Sequence, residues 1–270
     1  VLTVMGSTQA DDISVGYDAG MGNYRVEVNS SVPVISGLCT SLSKAGRTVT
    51  CPASFNNLNG VLAYGNDGAD RIEIEGSVPK FVTTTINGGS GRNTLIGGKS
   101  KDVISTEAGS EGSIIRGGGN LDQLYVPPEG IASGGGSADV IHSKSPCDGG
   151  TVRGGSGADN LVLNGSARGV KANLAKGFAR FVKGKCSKQL KIGRDVENLE
   201  GTSYDDVLIL GKKLKTQNRK RSLLGRDGHD VLNSRNGYPD TVTTGGGGRG
   251  NKVISDRKDK VTWGWGLARF

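Results

Sequence analysis

Five nine-residue segments place an acid or its amide at the same point of a glycine-rich frame: GGSGRNTLI, GGKSKDVIS, GGGNLDQLY, GGGSADVIH and GGSGADNLV, all between Gly88 and Val162. Asp102, Asp122, Asp139 and Asp159 hold the sixth place. A carboxylate beside the carbonyls of a tight glycine turn is an all-oxygen donor set, the kind a hard cation such as Ca2+ takes. These four acids are spaced by 20, 17 and 20 residues, close to two segments each. The spacing predicts a stack of acids on one edge of a coiled chain.

Two kinds of element must position such acids. Paired glycines reach backbone angles closed to other residues, so the first half of each segment reads as a tight turn. The second half reads as a short strand whose eighth residue (Leu95, Ile104, Leu124, Ile141, Leu161) faces a core while Thr94, Gln123 and Asn160 face out. Two segments then make one coil of an all-β, right-handed parallel β-roll or β-helix solenoid. The intervening turns, TEAGSEGS, PPEG and SPCDGG, have lost the glycine-acid frame although Ile114, Ile115, Ile131 and Val152 keep the core aliphatic. Calcium is therefore expected on one edge of this stretch.

This pattern resembles the RTX (repeats-in-toxin, haemolysin-type) calcium-binding repeats secreted by bacteria. Degenerate copies cover most of the chain: GSTQADDIS, GNDGADRIE, GTSYDDVLI, GRDGHDVLN, RNGYPDTVT and GGGRGNKVI. The resemblance implies calcium ligands at Asp70, Asp102, Asp122, Asp139, Asp159, Asp206 and Asp230, with Asp11 and Asp240 poorer because their turns lack glycines. Asn93 and Asn251 replace the acid, and Arg92, Lys99, Lys101 and Arg249 bring positive charge to the turns. The stretch GVKANLAKGFARFVKG through DVENLEGTSYDDVLI resembles a segment found in such arrays, with Asn173 in place of its acid.

Four regions follow from the pattern: an N-terminal cap over 1–60, repeats over 61–165, a basic β insertion over 166–200, and degenerate basic repeats with a C-terminal cap over 201–270. Val170, Ala172 and Leu174, then Phe178 and Phe181, predict a projecting strand pair in the insertion. Cys39 and Cys51 bracket Ala45-Gly46 between two β-leaning segments, the arrangement of a stapled hairpin, against the alternative of free buried thiols. A Cys147–Cys186 bridge would clamp the insertion, and both bridges imply an oxidising, extracellular or cell-surface setting. Trp263 and Trp265 read as an end cover or a binding platform. The chain begins at Val1 without a leader, which reads as a mature or trimmed product.

Composition excludes several classes. Glycine makes up 46 of 270 residues and aromatics 5 %, unlike an ordinary packed α/β enzyme. No run of 18 apolar residues is present, which excludes a spanning helix. No GxSxG, HExxH or Walker loop occurs, and His142 and His229 lie in different neighbourhoods, so no enzyme is expected. Charge is uneven: residues 1–164 hold 11 Lys/Arg against 16 Asp/Glu, and 165–270 hold 23 against 10. Three functions follow in order: a calcium-binding structural or surface-interaction module, with self-assembly as an option; a binder of acidic polysaccharide or a cell-envelope polymer through the basic half, without specific nucleic-acid recognition; and a polysaccharide-acting solenoid enzyme.

Overall fold

The computed structural model describes residues 1–28, 34–36, 39–41, 48–52, 60–211, 220–246 and 250–264. It is a β-solenoid, with no helix among these residues. The chain divides into two compact units, Val1–Asp139 and Val140–Phe270.

In the first unit one sheet runs Val34–Ser36, Leu2–Met5, Gly60–Tyr64, Thr83–Asn87, Asp102–Ser105, Gln123–Tyr125. The facing series runs Thr40–Ser41, Thr48–Pro52, Asn23–Val28, Asp12–Asp18, Arg71–Ile74, Thr94–Ile96, Ile114–Gly118, Ile131–Gly136. Coil-to-coil pairings are parallel and in register, with Ile72, Leu95 and Ile115 aligned on one sheet and Ile86, Ile104 and Leu124 on the other. All six are fully buried, so each short strand commits one aliphatic side chain to the interior and the coils repeat it.

The solenoid begins earlier than expected. Leu2–Met5 and Asp12–Asp18 pair parallel with Gly60–Tyr64 and Arg71–Ile74, so the first coil lies inside the region read as a cap. The covering element is narrower: Asn23–Val28, Thr48–Pro52 and Thr40–Ser41 add antiparallel to Asp12–Asp18. Cys39 and Cys51 are bonded with their Cα atoms 4.2 Å apart. The turn at Ala45-Gly46 lies outside the described residues.

In the second unit Val140–His142, Asn160–Val162, Asn198–Glu200, Ser222–Leu224, Thr241–Thr243 and Lys260–Thr262 form one parallel series. The other holds Thr151–Ser156, Leu190–Ile192, Phe178–Phe181, Val170–Asn173, Val207–Ile209, Val231–Asn233 and Lys252–Ile254. The insertion does not project. Val170–Asn173 pairs antiparallel with Phe178–Phe181, which pairs antiparallel with Leu190–Ile192, and the outer two strands join parallel neighbours. Val170, Ala172, Ala179 and Leu190 are fully buried, which draws the excursion into the sheet. Cys147 and Cys186 are bonded across it, Cα atoms 5.0 Å apart. Trp263 is half exposed, while Trp265, Arg249 and the lysines from Lys212 to Lys215 fall outside the described residues.

Candidate functional site

Every sixth-place Asp lies just before a strand, or at Asp102 opens one, and points inward. Asp70, Asp102, Asp122, Asp139, Asp159, Asp206 and Asp230 are all at most 2 % exposed. On one edge of the first unit the Oδ1 of Asp122 accepts the Asp102 amide at 2.9 Å, and the Oδ1 of Asp139 accepts the Asp122 amide at 2.9 Å. On its other edge Asp70 Oδ1 accepts the Asp11 amide at 2.8 Å, Asn93 Oδ1 accepts the Asp70 amide at 2.9 Å, and Ser113 Oγ accepts the Asn93 amide at 2.8 Å. In the second unit Asp206 Oδ1 accepts the Val170 amide and Asp230 Oδ1 the Asp206 amide, and Asn251 closes the series by accepting the Asp230 amide. One oxygen of Asp70, Asp122, Asp139, Asp206 and Asp230 thus joins neighbouring coils, a structural role the repeat frame did not advertise.

The second oxygen sorts the turns into two kinds. In the closed kind the amide four residues upstream donates to Oδ2: Ser7 to Asp11, Gly98 to Asp102 at 3.0 Å and Thr202 to Asp206 at 2.6 Å. Asp102 also accepts Thr84 and Ser100 hydroxyls, and Asp206 the Thr202 hydroxyl. In the open kind the same upstream residue is left-handed, as at Asn66 (φ 71°), Gly118 (φ 114°) and Arg226 (φ 76°). There the Oδ2 atoms of Asp70, Asp122 and Asp230 are buried and accept no hydrogen bond from the described residues. Gly135 and Gly155 carry the same left-handed angle in the turns of Asp139 and Asp159.

The first glycine of each frame makes this arrangement possible. A Cβ on Gly65, Gly117 or Gly225 would collide with the Oδ2 of Asp70, Asp122 or Asp230, and would lie 2.6 Å from a carbonyl of the next coil (Gly88, Gly134 or Thr244). The missing side chain leaves a cradle shared by a carboxylate oxygen and a carbonyl oxygen. The same glycine space borders Asp102 and Asp206 at Gly97 and Gly201, so what sets the open turns apart is the Oδ2 left without a donor, and a buried carboxylate oxygen without a donor is costly unless a proton or a cation meets it. Asn93 shows how the chain fills the same place with its own donor: its Nδ2 lies against Gly88 and donates to the carbonyls of Gly89, Ser90 and Gly91 at 3.3, 3.4 and 3.1 Å. Asn251 donates likewise to Gly246 at 2.8 Å. The residues of the open turns therefore fit a hard cation through one carboxylate and backbone carbonyls. Among the described residues no three His, Cys, Asp or Glu side chains gather to hold a metal ion.

One edge of the second unit departs from the frame. The residues preceding its strands are Asp159, Glu197, Arg221, Asp240 and Asp259. Glu197 Oε2 accepts the Asp159 amide at 2.9 Å, Asp240 Oδ1 the Arg221 amide at 3.3 Å and Asp259 Oδ1 the Asp240 amide at 2.9 Å. Asn236 donates to Asp240 Oδ2. Asp195 takes the amide of Gly155 at 3.0 Å. Sequence reading missed Glu197, Asp195 and Arg221 because none stands in a glycine frame. Their one signal is position, immediately before or near the first residue of a core-facing triplet.

Burial raises the acids. Desolvation pushes Asp70 and Asp102 up to about 6, Asp230 to about 7 and Asp122 to about 8, against backbone and hydroxyl donors that lower them. A carboxyl that holds its proton more tightly when folded makes the native state bind more protons than the unfolded state, so stability falls as pH rises between the two values. Without a cation, stability is expected to fall by up to about 1.4 kcal/mol per pH unit for each such group, from about pH 4 to that group's folded value, and the melting temperature with it. Thermal scans across this range in chelator check it. A melting temperature that climbs with pH, as ordinary paired carboxylates produce, contradicts it.

No known protein family's model matches the chain, and no curated protein matches it.

Proposed function

We propose that this chain is a secreted, calcium-stabilised β-solenoid of the RTX kind, with a structural or surface-interaction role and no catalytic one. The observation that carries the reading is the set of buried, hydrogen-bond-free Oδ2 atoms at Asp70, Asp122 and Asp230, each beside a glycine that a carbonyl of the next coil also borders. Those acids, together with Asp139 and Asp159 in turns of the same backbone form, would hold the cation. Asp102 and Asp206 are poorer candidates because donors of their own turns satisfy both oxygens. Calcium would supply the positive charge that lets the buried carboxylates ionise, joining adjacent coils without a directional demand on the backbone. Extracellular modules of this kind bind at roughly 10⁻⁴ to 10⁻³ M. Calorimetry and thermal melting in millimolar calcium test the reading. Heat of binding with a higher melting temperature supports it, and neither effect with calcium, compared with magnesium, sinks it.

A second reading, polyanion binding, is favoured by one groove in the basic unit. Arg168, Lys183, Ser203, Tyr204 and Asp205 line it. Tyr204 is 49 % exposed, and Arg168 is stacked over the Phe181 ring with its guanidinium 5.6 Å from the centroid. An exposed ring beside two cations suits an acidic sugar, which offers an apolar face and a carboxylate or sulfate. Arg168→Ala with Lys183→Ala is expected to weaken binding of an acidic oligosaccharide by about tenfold at low salt, equivalent to about 1.4 kcal/mol. Unchanged affinity in a titration counts against the groove.

A further inference from the structure

We infer that Arg221 is a tethered cation: its guanidinium supplies from within the chain the positive charge that the acidic edge around Glu197 and Asp240 needs, so the coils of Ser222–Leu224 and Thr241–Thr243 fold without metal. The inference deepens the calcium reading, and rests on it only for the claim that an external cation can take the same place.

Position is the first ground. Arg221 stands directly before Ser222–Leu224, where the neighbouring coils of that edge place Glu197 and Asp240. A lone cation has entered a column of acids. Burial is the second, since the Arg221 side chain is only 3 % exposed although arginine almost never goes inside unless paired. Its surroundings are the third. Nη2 donates to the Gly211 carbonyl at 2.7 Å and Nη1 to the Leu210 carbonyl at 3.4 Å, while Nε makes no hydrogen bond to the described residues and lies 4.0 Å from Asp240 Oδ1, an ion-pair distance. Two carbonyls and a carboxylate around one positive centre are oxygens of the kind a hard cation takes, here met by a guanidinium that cannot lose its charge at ordinary pH.

The comparison inside the molecule sharpens the point. Turn carbonyls meet an amide at Asn93 and a guanidinium at Arg221, and they face a bare carboxylate oxygen at Asp122. The first two are supplied by the chain. Only the third asks for something from solution.

Amide hydrogen exchange on the whole chain tests this, read at Ser222–Leu224 and Thr241–Thr243 in chelator and in millimolar calcium. The wild type is expected to show equal protection there in both. Arg221→Ser is expected to lose about tenfold or more of that protection in chelator and to regain it with calcium. Arg221→Lys, which keeps the charge, is expected to hold protection without calcium. Three results overturn the inference: wild-type strands that open in chelator, Arg221→Ser protected as well as wild type without calcium, or protection lost in Arg221→Ser that calcium does not restore while the Asp122 edge responds to it. Should Arg221→Ser unfold the unit in every condition, Arg221→Lys is compared with Arg221→Gln in chelator. Greater protection with Lys supports the tethered charge, and equal protection overturns it. Exchange at Asp102–Ser105 and Gln123–Tyr125 that ignores calcium defeats the calcium reading instead, and leaves this inference to the Lys and Gln comparison.

Discussion

Gly117→Ala is expected to lower the melting temperature by about 10 °C, from a loss of about 3 kcal/mol at about 2–4 °C per kcal/mol for a chain of this size class. The methyl group would enter the space held by Asp122 Oδ2 and the Gly134 carbonyl, one a side chain pinned by the Asp102 amide and the other backbone of the next coil. Neither can retreat without opening the stack. Gly97→Ala should behave alike, since its Cβ meets Asp102 Oδ2 and the Gly117 carbonyl. Gly237→Ala is the matched control. That glycine is left-handed (φ 86°) but has nothing within 4 Å of its Cβ position, so only backbone strain of about 1–2 kcal/mol is expected. Thermal denaturation of the three variants checks the ranking, and equal losses at Gly117 and Gly237 would remove the cradle from the account.

Asp122→Asn is expected to act in opposite directions with and without calcium. In chelator the new amide can donate to carbonyls of its own turn, as Asn93 does to Gly89, Ser90 and Gly91, while its Oδ1 still accepts the Asp102 amide, so the melting temperature should rise by a few degrees, about 1 kcal/mol. In calcium the variant should gain less than the wild type, because one carboxylate is gone. Asp122→Ala separates the two roles: it leaves the buried Asp102 amide without its acceptor and should cost about 1–3 kcal/mol in either condition. A variant Asn chain that is less stable than the wild type in chelator contradicts the open-turn description.

The fold was legible in the sequence because it repeats. One aliphatic every strand and a glycine before each acid are local signals, and Leu95, Ile104, Leu124 and Asp122 stand where the frame puts them. The region at 166–200 was read less well. Its alternation of Val170, Ala172 and Leu174 says strand, but whether a strand pair projects or joins a sheet depends on open hydrogen-bonding edges that only the folded coils create. The site was half legible. The frame finds the acids but not the state of their second oxygen, which turns on the handedness of the residue four places upstream. Ser7 and Thr202 give a hint of the closed form, whereas Gly98 and Gly118 are the same residue in opposite forms. Arg221 was invisible, since nothing in KRSLL marks an arginine as interior.

The most direct measurement is anomalous difference density from crystals grown in calcium, at a wavelength where calcium scatters anomalously. Peaks are expected beside Asp70, Asp122 and Asp230, and none beside Asn93 or between Arg221 and Asp240. A featureless map at the three open turns, or a calcium peak at the Asn93 turn or beside Arg221, would contradict this expectation.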